Sequence, residues 1–533
     1  MNTNITKLFV GLSCAASLFA TSCIDETFPT SSATEQQIQA SEKATEALLW
    51  AMPAFLNDYG TVAGNDYEWG YGSLMHIRDV MTGDMTVVST GYDWYSNWGA
   101  NLNQGENSAN TQYVWNYYWK FVQTANNLIA AVDTATATED LLGMLGAAQA
   151  YRALAYLDMA QMYEFLPNDK ISSINAAGND VLNLTVPIVR EGMTEAQARN
   201  NPRVSREVMA DFILNDLNEA EKNIVYLSST AKQLPHLDAV FGLKARLYMW
   251  LGDYANAKMY ARLAIDNNTG HVMSQEECLS TTEGFNTPEP WMWASTTQKE
   301  DAVVKSGILN WASWMCPEAT FGYSFAGATS MIDAAMYSRI SNTDFRKLMF
   351  KAPAASALAA QVPYINRAIS TKYLPTYAAI KFRPGSGNIE EYTIAASTSY
   401  PLMRIEEMYF IEAEAAEHLA AGTGIALLAD FMTNYRDPSY VVNANIDAID
   451  EIVFQKRVEL WGEGQAFYDI KRLDMSVTRG YTGSNVPAAR MFNTDGRPAW
   501  MNYCVVITEK NNNSALKGWE NPDPTKAYEP WEE

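Results

Sequence analysis

Glu459 and Glu463 stand four residues apart in the stretch VFQKRVELWGEGQAFYDIKRL, a spacing that sets two carboxylates on one face of a helix. Paired carboxylates are what a glycoside hydrolase uses, one as general acid and the other as base or nucleophile. Arg457 and Arg472 lie in the same stretch, and a guanidinium beside a carboxylate offsets its charge and keeps it ionised. Structural ion pairing is therefore the expected role of Glu459 and Glu463, and equally of Glu407 and Glu414. Other reaction signatures are missing: His76, His236, His271 and His418 are scattered without H-E-x-x-H spacing, and there is no C-x-x-C, G-x-S-x-G, P-loop or dinucleotide fingerprint. No calcium-loop spacing occurs either, so no catalytic residue, metal or cofactor is assigned.

Aromatic residues in polar stretches offer a different chemistry, because a sugar ring stacks its C–H face on an aromatic ring while amides and acids take its hydroxyls. The segment GYDWYSNWGANLNQG places Tyr92, Trp94, Tyr95 and Trp98 among Asp93, Asn97, Asn101 and Asn103. A second cluster holds Trp291, Trp293, Trp311, Trp314, Phe321 and Tyr323. These rings are the candidate ligand contacts. Tyr67, Trp69 and Tyr71 rank below them, and Trp115, Tyr117, Tyr118 and Trp119 sit at helical spacing that suits a core. With 61 acids against 38 bases, the net charge of −23 repels phosphate backbones and excludes nucleic acid as a partner. It suits a neutral ligand.

The amino terminus points to the cell surface. Lys7 precedes an apolar run from Leu8 to Ala20, too short to span a bilayer, so residues 1–22 read as a cleaved signal. The residues Ala-Thr-Ser-Cys ending at Cys23 resemble the lipobox of bacterial lipoproteins, with Ala20 where Leu is usual. On that resemblance Cys23 carries the lipid, and Asp25 and Glu26 resemble the acidic residues that send lipoproteins of gut Bacteroidetes to the outer face of the outer membrane. Residues 23–43, rich in Ser, Thr, Gln and Ala, suit a flexible tether. Three thiols remain downstream, Cys278, Cys316 and Cys504; a Cys278–Cys316 disulfide is one arrangement, buried free thiols the expected one.

The elements that must position the aromatics are helical. In LDAVFGLKARLYMWLGDYANAKMYARLAID, Ala245, Tyr248, Gly252, Tyr254, Ala257, Tyr260 and Ala264 occupy the offsets at which two helices joined by Gly-Asp-Tyr would meet, and the unit resembles a tetratricopeptide repeat. One such unit cannot bury its own apolar face. Partners are expected over Tyr113–Val132, Leu141–Phe165, Ser205–Leu227 (capped by Ser205, with Val208, Phe212, Leu217, Ala220 and Ile224 on one stripe), Arg404–Ala420 and Asp447–Arg472, capped by Asp447. Residues 44–533 then form one mainly α domain, with helical repeats at about 44–59, 113–165, 205–268, 400–436 and 447–475. Loop-rich insertions at 60–110, 271–399 and 476–533 supply the ligand-binding side.

Two stretches carry a family resemblance. YPLMRIEEMYFIEAEAAEHLAAG, through Pro401, Arg404, Glu407, Ala413, Glu414 and Ala415, and the Glu459 stretch, through Arg457, Glu459, Leu460, Glu463, Gly464, Asp469 and Arg472, resemble the two carboxy-terminal signatures of the SusD/RagB family of outer-membrane nutrient-binding lipoproteins. Glu406 stands where the family commonly has Ala and Glu412 where Arg is frequent, both read as exposed positions. The resemblance implies a tetratricopeptide-like helical scaffold, a lipid anchor on the extracellular side of the outer membrane, and capture of a glycan for a SusC-like TonB-dependent transporter. A non-catalytic scaffold or lid for that transporter, binding a non-glycan nutrient such as peptide, and a glycoside hydrolase are the alternatives.

Overall fold

The computed structural model describes residues 42–60, 64–88, 95–282 and 284–533. The signal, Cys23, Asp25, Glu26 and the tether to residue 41, and also Tyr92 and Trp94, lie outside the described residues.

Eleven principal helices carry the fold: α1 Glu42–Phe55, α2 Tyr71–Val80, α3 Ala109–Ala131, α4 Glu139–Tyr163, α5 Arg206–Asn223, α6 Leu237–Leu251, α7 Tyr254–Asp266, α8 Ile405–Leu419, α9 Thr423–Tyr435, α10 Ala448–Glu459 and α11 Ala466–Arg472. From α3 to α9 each helix packs on the next in order, the arrangement of a helical repeat scaffold. The series survives the long insertion, since α7 packs directly on α8 although 138 residues separate Asp266 from Ile405. Among the described residues no helix is long and apolar enough to cross a membrane.

Local chemistry sets the helix ends. Ser108, Thr138, Ser205 and Asp447 accept backbone N–H bonds at the starts of α3, α4, α5 and α10, satisfying donors that would otherwise lack partners. Gly252, at φ 73°, ends α6 in the left-handed conformation, and Asp253 caps α7 at once, which makes the tight turn of the repeat unit. Gly143 lets α4 approach the end of α5, for a Cβ there would come within 2.4 Å of the Leu227 nitrogen. On α5 the buried stripe runs through Met209, Phe212, Ile213, Leu217 and Ala220. Val208, expected on that stripe, is rotated off it and is 50% exposed.

The insertions are more ordered and more deeply packed than loops. Helix α2 was hidden because all ten of its residues are buried, so no apolar face contrasts with a polar one. Two short antiparallel pairs stitch the insertions to one another and to the scaffold. Strand β1 (Met85–Val87) pairs with β3 (Ser330–Ile332), and β2 (Trp293–Thr296) pairs with β4 (Ser399–Met403), which leads into α8. The carboxy-terminal segment joins the same core: the Trp500 indole donates to the Met81 carbonyl at 2.9 Å. Cys278, Cys316 and Cys504 are free and buried, and burial pushes the Cys278 thiol up to about 12.

The region Asp447–Arg472 is not one helix. Gly462 and Gly464, at φ 80° and 69°, break it after Glu459. The turn fits under α2, where a Cβ on Gly464 would meet the Met75 Cα at 2.8 Å; the Gly464 N–H donates to Asp79 and its carbonyl accepts from Arg78. Glu459 and Glu463 therefore do not share a helical face, and their partners are not Arg457 and Arg472. Glu459 pairs with Arg436 at 2.8 Å, Arg346 at 3.1 Å and Arg404 at 3.2 Å. Glu463 pairs with Lys381 at 2.6 Å and Arg404 at 2.8 Å. Glu406 is fully buried in the same network, 3.0 Å from Arg404 and 3.2 Å from Arg436, and Glu412 is buried against Arg262, so neither is the exposed position expected. Both were misread because a carboxylate on a helix looks solvated until its distant arginine is known.

Arg472 instead joins Glu414 at 2.6 Å and Asp469 at 2.7 Å, and Arg457 donates to Asp84 at 2.9 Å. Burial alone would raise the Glu459 carboxyl, but Arg436, Arg404 and Arg346 hold it well below the usual carboxylate range. Glu414 is likewise lifted by burial and brought down to about 2 by Arg472, His418 and Lys456.

Removing one partner of a buried ion network strands the others, so Glu459→Ala is expected to cost ~3–5 kcal/mol in denaturant unfolding at neutral pH; a change below ~1 kcal/mol would show the network to be dispensable. A carboxyl held below its unfolded value of 4.5 stabilises above that pH and loses this contribution as pH falls toward 2. Stability should fall across that window, and Glu414→Gln should lower stability at pH 7 while flattening the fall; an unchanged slope would remove Glu414 from the acid response.

Candidate functional site

The exposed aromatic chemistry begins at a short helix, Trp311–Met315, started by Asn310, whose side chain accepts from the Ser313 N–H at 3.0 Å. The turn-rich segment Phe-Gly-Tyr-Ser-Phe, 321–325, is pinned on that helix. The Tyr323 N–H donates to the Ser313 hydroxyl at 3.0 Å and the Ser324 N–H to the Ser313 carbonyl at 2.8 Å. Gly322 is required for the approach, since a Cβ would come within 2.7 Å of the Ser313 backbone. Gly322 and Ser324 are buried, while Phe321, Tyr323 and Phe325 remain half-buried.

Each of those three rings has a neighbour that holds it. Tyr323 lies parallel on Trp314, with ring centres 4.3 Å apart and an interplanar angle of 17°. Phe321 sits 6.4 Å from Tyr392, and Phe325 sits 5.8 Å from Tyr373. Tyr392 is 38% and Tyr373 56% exposed, so the patch presents five rings that are partly open to solvent. Lys372 lies 4.7 Å from the Tyr373 ring centre. Burial and Asp66 together raise the Tyr323 hydroxyl, which therefore stays a neutral donor and acceptor at physiological pH.

Beneath Tyr323 the stack continues inward. Trp314 meets the Tyr95 ring edge-on at 4.8 Å, and Tyr95 contacts His76 at 4.3 Å. The Tyr95 hydroxyl shares a 2.8 Å hydrogen bond with Ser73 on α2. Burial lowers His76 to about 3 and raises the Tyr95 hydroxyl, so this supporting layer carries no charge.

The structure thus corrects six of the expected contacts. Tyr95, Trp98, Trp291, Trp293, Trp311 and Trp314 are buried and present no face to a ligand. Each is taken up by an internal partner: Trp98 by Tyr67, Trp311 by Tyr400 in a 4.6 Å stack, and Trp293 by Tyr151 and the Gln233 carbonyl. Trp291 rests beside Phe285. Of the expected residues, Phe321 and Tyr323 lie in the patch, and Tyr92 and Trp94 lie outside the described residues. Trp115, Tyr117 and Tyr118 are core as expected, whereas Trp119 is only partly buried. Phe325, Tyr373 and Tyr392 were missed. The alternation of aromatic and small residues over 321–325 signals the first, but nothing local brings Tyr373 or Tyr392 to it.

No carboxylate pair suited to hydrolysis emerges from the expected acids, because Glu459, Glu463, Glu407 and Glu414 are all buried in ion pairs, with Glu407 held by Arg246 at 2.6 Å. Among the described residues no group of three or more His, Cys, Asp or Glu is arranged to hold a metal ion.

Comparison with known proteins bears on both ends of the chain. A family model described as the SusD family matches residues 376–531, and one described as starch-binding associating with outer membrane matches residues 34–249. Among solved structures, a SusD-like carbohydrate binding protein from Bacteroides vulgatus has a TM-score of 0.69 at 20% identity, covering 89% of this chain and 97% of its own. A SusD superfamily protein from Bacteroides thetaiotaomicron has a TM-score of 0.67 at 17% identity, covering 89% and 98%. A laminarin binding SusD-like protein has a TM-score of 0.59 at 16% identity, also covering 89% and 98%. No curated protein matches the chain.

The layering predicts unequal costs. Trp314→Ala opens a cavity under the patch and should destabilise by ~3–5 kcal/mol, whereas Tyr323→Ala, at the outer edge of the stack, should cost about 1 kcal/mol. Equal losses in denaturant unfolding would mean that Tyr323 is a core residue and not a surface ring.

Proposed function

The chain belongs to the SusD family, and on that premise we propose that it is a surface-exposed lipoprotein that captures oligosaccharide or polysaccharide and delivers it to a SusC-like TonB-dependent transporter, without chemistry of its own. The observation that carries the reading is Tyr323, half open to solvent and stacked flat on Trp314. A ring held in place by another ring loses little freedom when a sugar lies on it, so stacking contributes to affinity with little ordering cost. Phe321, Phe325, Tyr373 and Tyr392 extend the surface, and the neutral layer of Tyr95 and His76 beneath it suits an uncharged ligand.

The anchor belongs to the same proposal. Cys23 would be the lipidated first residue of the mature chain, and multiple acyl chains are needed because one holds only marginally. Asp25 and Glu26 would direct it to the extracellular side of the outer membrane, and residues 23–43 would let the domain move over its transporter. Weak capture suits that hand-over. A few stacking contacts of about 1–3 kcal/mol each, by analogy with bases on aromatic side chains, give micromolar to millimolar affinity.

Affinity-gel electrophoresis of the chain from Ile24 onward, against laminarin, starch and other neutral polysaccharides, tests the reading. At least one polysaccharide should retard the protein, and Tyr323→Ala combined with Phe325→Ala should restore free migration. Trp94→Ala and Tyr92→Ala test the two expected contacts outside the described residues. Retardation by none of the polysaccharides, or retardation unaffected by all four substitutions, would overturn the glycan reading of this patch.

A further inference from the structure

A second concavity lies on another part of the molecule and shares no residue with the aromatic patch. It is a groove of about 420 Å³ between α3, the segment 187–201 and the carboxy-terminal helix Ile507–Asn512. That volume falls in the range of small-molecule pockets, roughly 300–1,000 Å³. Its floor follows from helix geometry. Trp119, Gln123 and Asn127 lie at successive four-residue steps along one side of α3 and all line the groove.

The walls are fixed by hydrogen bonds that leave the floor unused. The Asn126 side chain donates to the Val189 carbonyl at 3.1 Å, and the Val189 N–H donates to the Tyr156 hydroxyl at 2.8 Å, which holds the first wall to α3 and α4. On the opposite side the Asn513 side chain accepts from the Asn201 N–H at 3.0 Å and donates to the Asn201 carbonyl at 2.7 Å. Arg190 is held 4.6 Å over the Phe212 ring, and its guanidinium makes no hydrogen bond to another described residue. The Gln123 and Asn127 amides, like Arg190, are exposed to solvent along the groove, and the Trp119 indole N–H is buried without a hydrogen-bond partner among the described residues. The groove thus presents solvent-facing amides and a guanidinium beside one buried indole N–H that has no partner among the described residues.

The charge and the group types narrow the ligand. Glu191 is ion-paired with Arg152, which it shares with Asp216 at 2.8 Å. Among the lining residues Arg190 stands against Glu191 and Glu509, so the groove has no surplus of positive charge to draw an anion. Amides donate and accept at once, as hydroxyls do, and Trp119 with Met193 supplies the apolar surface that a sugar's C–H face needs. We propose that this groove is a second binding site for a neutral, hydroxyl-rich ligand, one or two units of an uncharged saccharide. The inference stands whether or not the aromatic patch binds glycan.

Saturation-transfer difference NMR with methyl glucoside, methyl galactoside and methyl mannoside tests it. The proteins are the chain from Ile24 onward, its Tyr323→Ala/Phe325→Ala variant, and that variant with Asn127→Ala and Arg190→Ala added. At least one glycoside should bind the patch variant, and the two groove substitutions should weaken it about tenfold with near-UV circular dichroism unchanged. Equal affinity with and without the groove substitutions, no signal from any of the three glycosides, or binding of glucuronate or tetra-alanine in preference to them would overturn the proposal. Failure of the patch reading looks different, since it leaves the unsubstituted chain and the patch variant equal in affinity.

Discussion

The structure is organised around a knot of buried charge. Arg404, Arg436, Arg346 and Lys381 face Glu406, Glu459, Glu463 and Asp344 with almost no solvent contact. Ions in such a place cost several kcal/mol each unless every one is paired and hydrogen-bonded, so the network is all or nothing. Its members come from separate stretches. Arg404 precedes α8, Arg436 follows α9, and Glu459 and Glu463 flank the turn after α10. Arg346 and Lys381 come from the long insertion. The knot therefore forms only when the insertion has returned to the repeat scaffold, and it makes the position of one depend on the other. A second, smaller knot does the same for α2. Asp158 on α4 accepts from Tyr71 at 2.7 Å, Tyr118 at 2.9 Å and Arg78 at 3.1 Å, and Arg78 reaches on to Gly464 in the turn.

That coupling explains why the aromatic patch can be rigid although its residues lie in irregular segments. Trp311 is stacked on Tyr400 in strand β4, where the chain returns from the insertion to the scaffold. Trp314, one helical turn on, is fixed against Tyr95, which is bonded to Ser73 on α2. Tyr323 inherits that order through its stack on Trp314 and its backbone bond to Ser313. The tryptophans are thus one layer deeper than the half-exposed rings, which they hold in place.

What was legible in the sequence follows from this division. Helices α3 and α5 to α9 repeat a contrast between buried and solvated faces, while α4 is buried throughout from Gly143 to Tyr163. Caps are single residues, so Ser205 of α5 and Asp447 of α10 could be read directly, and most helix bounds came within four residues. Arg457 and Arg472 in the same stretch pointed to the pairing role of Glu459 and Glu463 but not to their partners, because Arg346 and Lys381 lie 113 and 82 residues away. Helix α2, buried on every side, offered no periodicity. Gly462 and Gly464 did mark the break after Glu459, but a glycine pair beside an apparent helical stripe is outweighed by the stripe. Most of all, polar and glycine-rich surroundings made the tryptophans look like surface residues. Their burial is set by Tyr67, Tyr151 and Tyr400, which no local pattern connects to them.

The distribution of charge brings these parts together. Inside the knot cations and anions are matched, so the surplus behind the net charge of −23 is carried elsewhere, largely on the exterior. An acidic exterior repels anions over a Debye length of about 8 Å at physiological ionic strength. The patch supplies neutral rings, and the groove offsets Arg190 against Glu509, so neither offers an excess of positive charge to overcome that repulsion. Uncharged ligands meet no such penalty. Aromatic faces and amides have the chemistry to stack on such molecules and to hydrogen-bond their hydroxyls, and a scaffold locked by its buried ions fixes both surfaces in place.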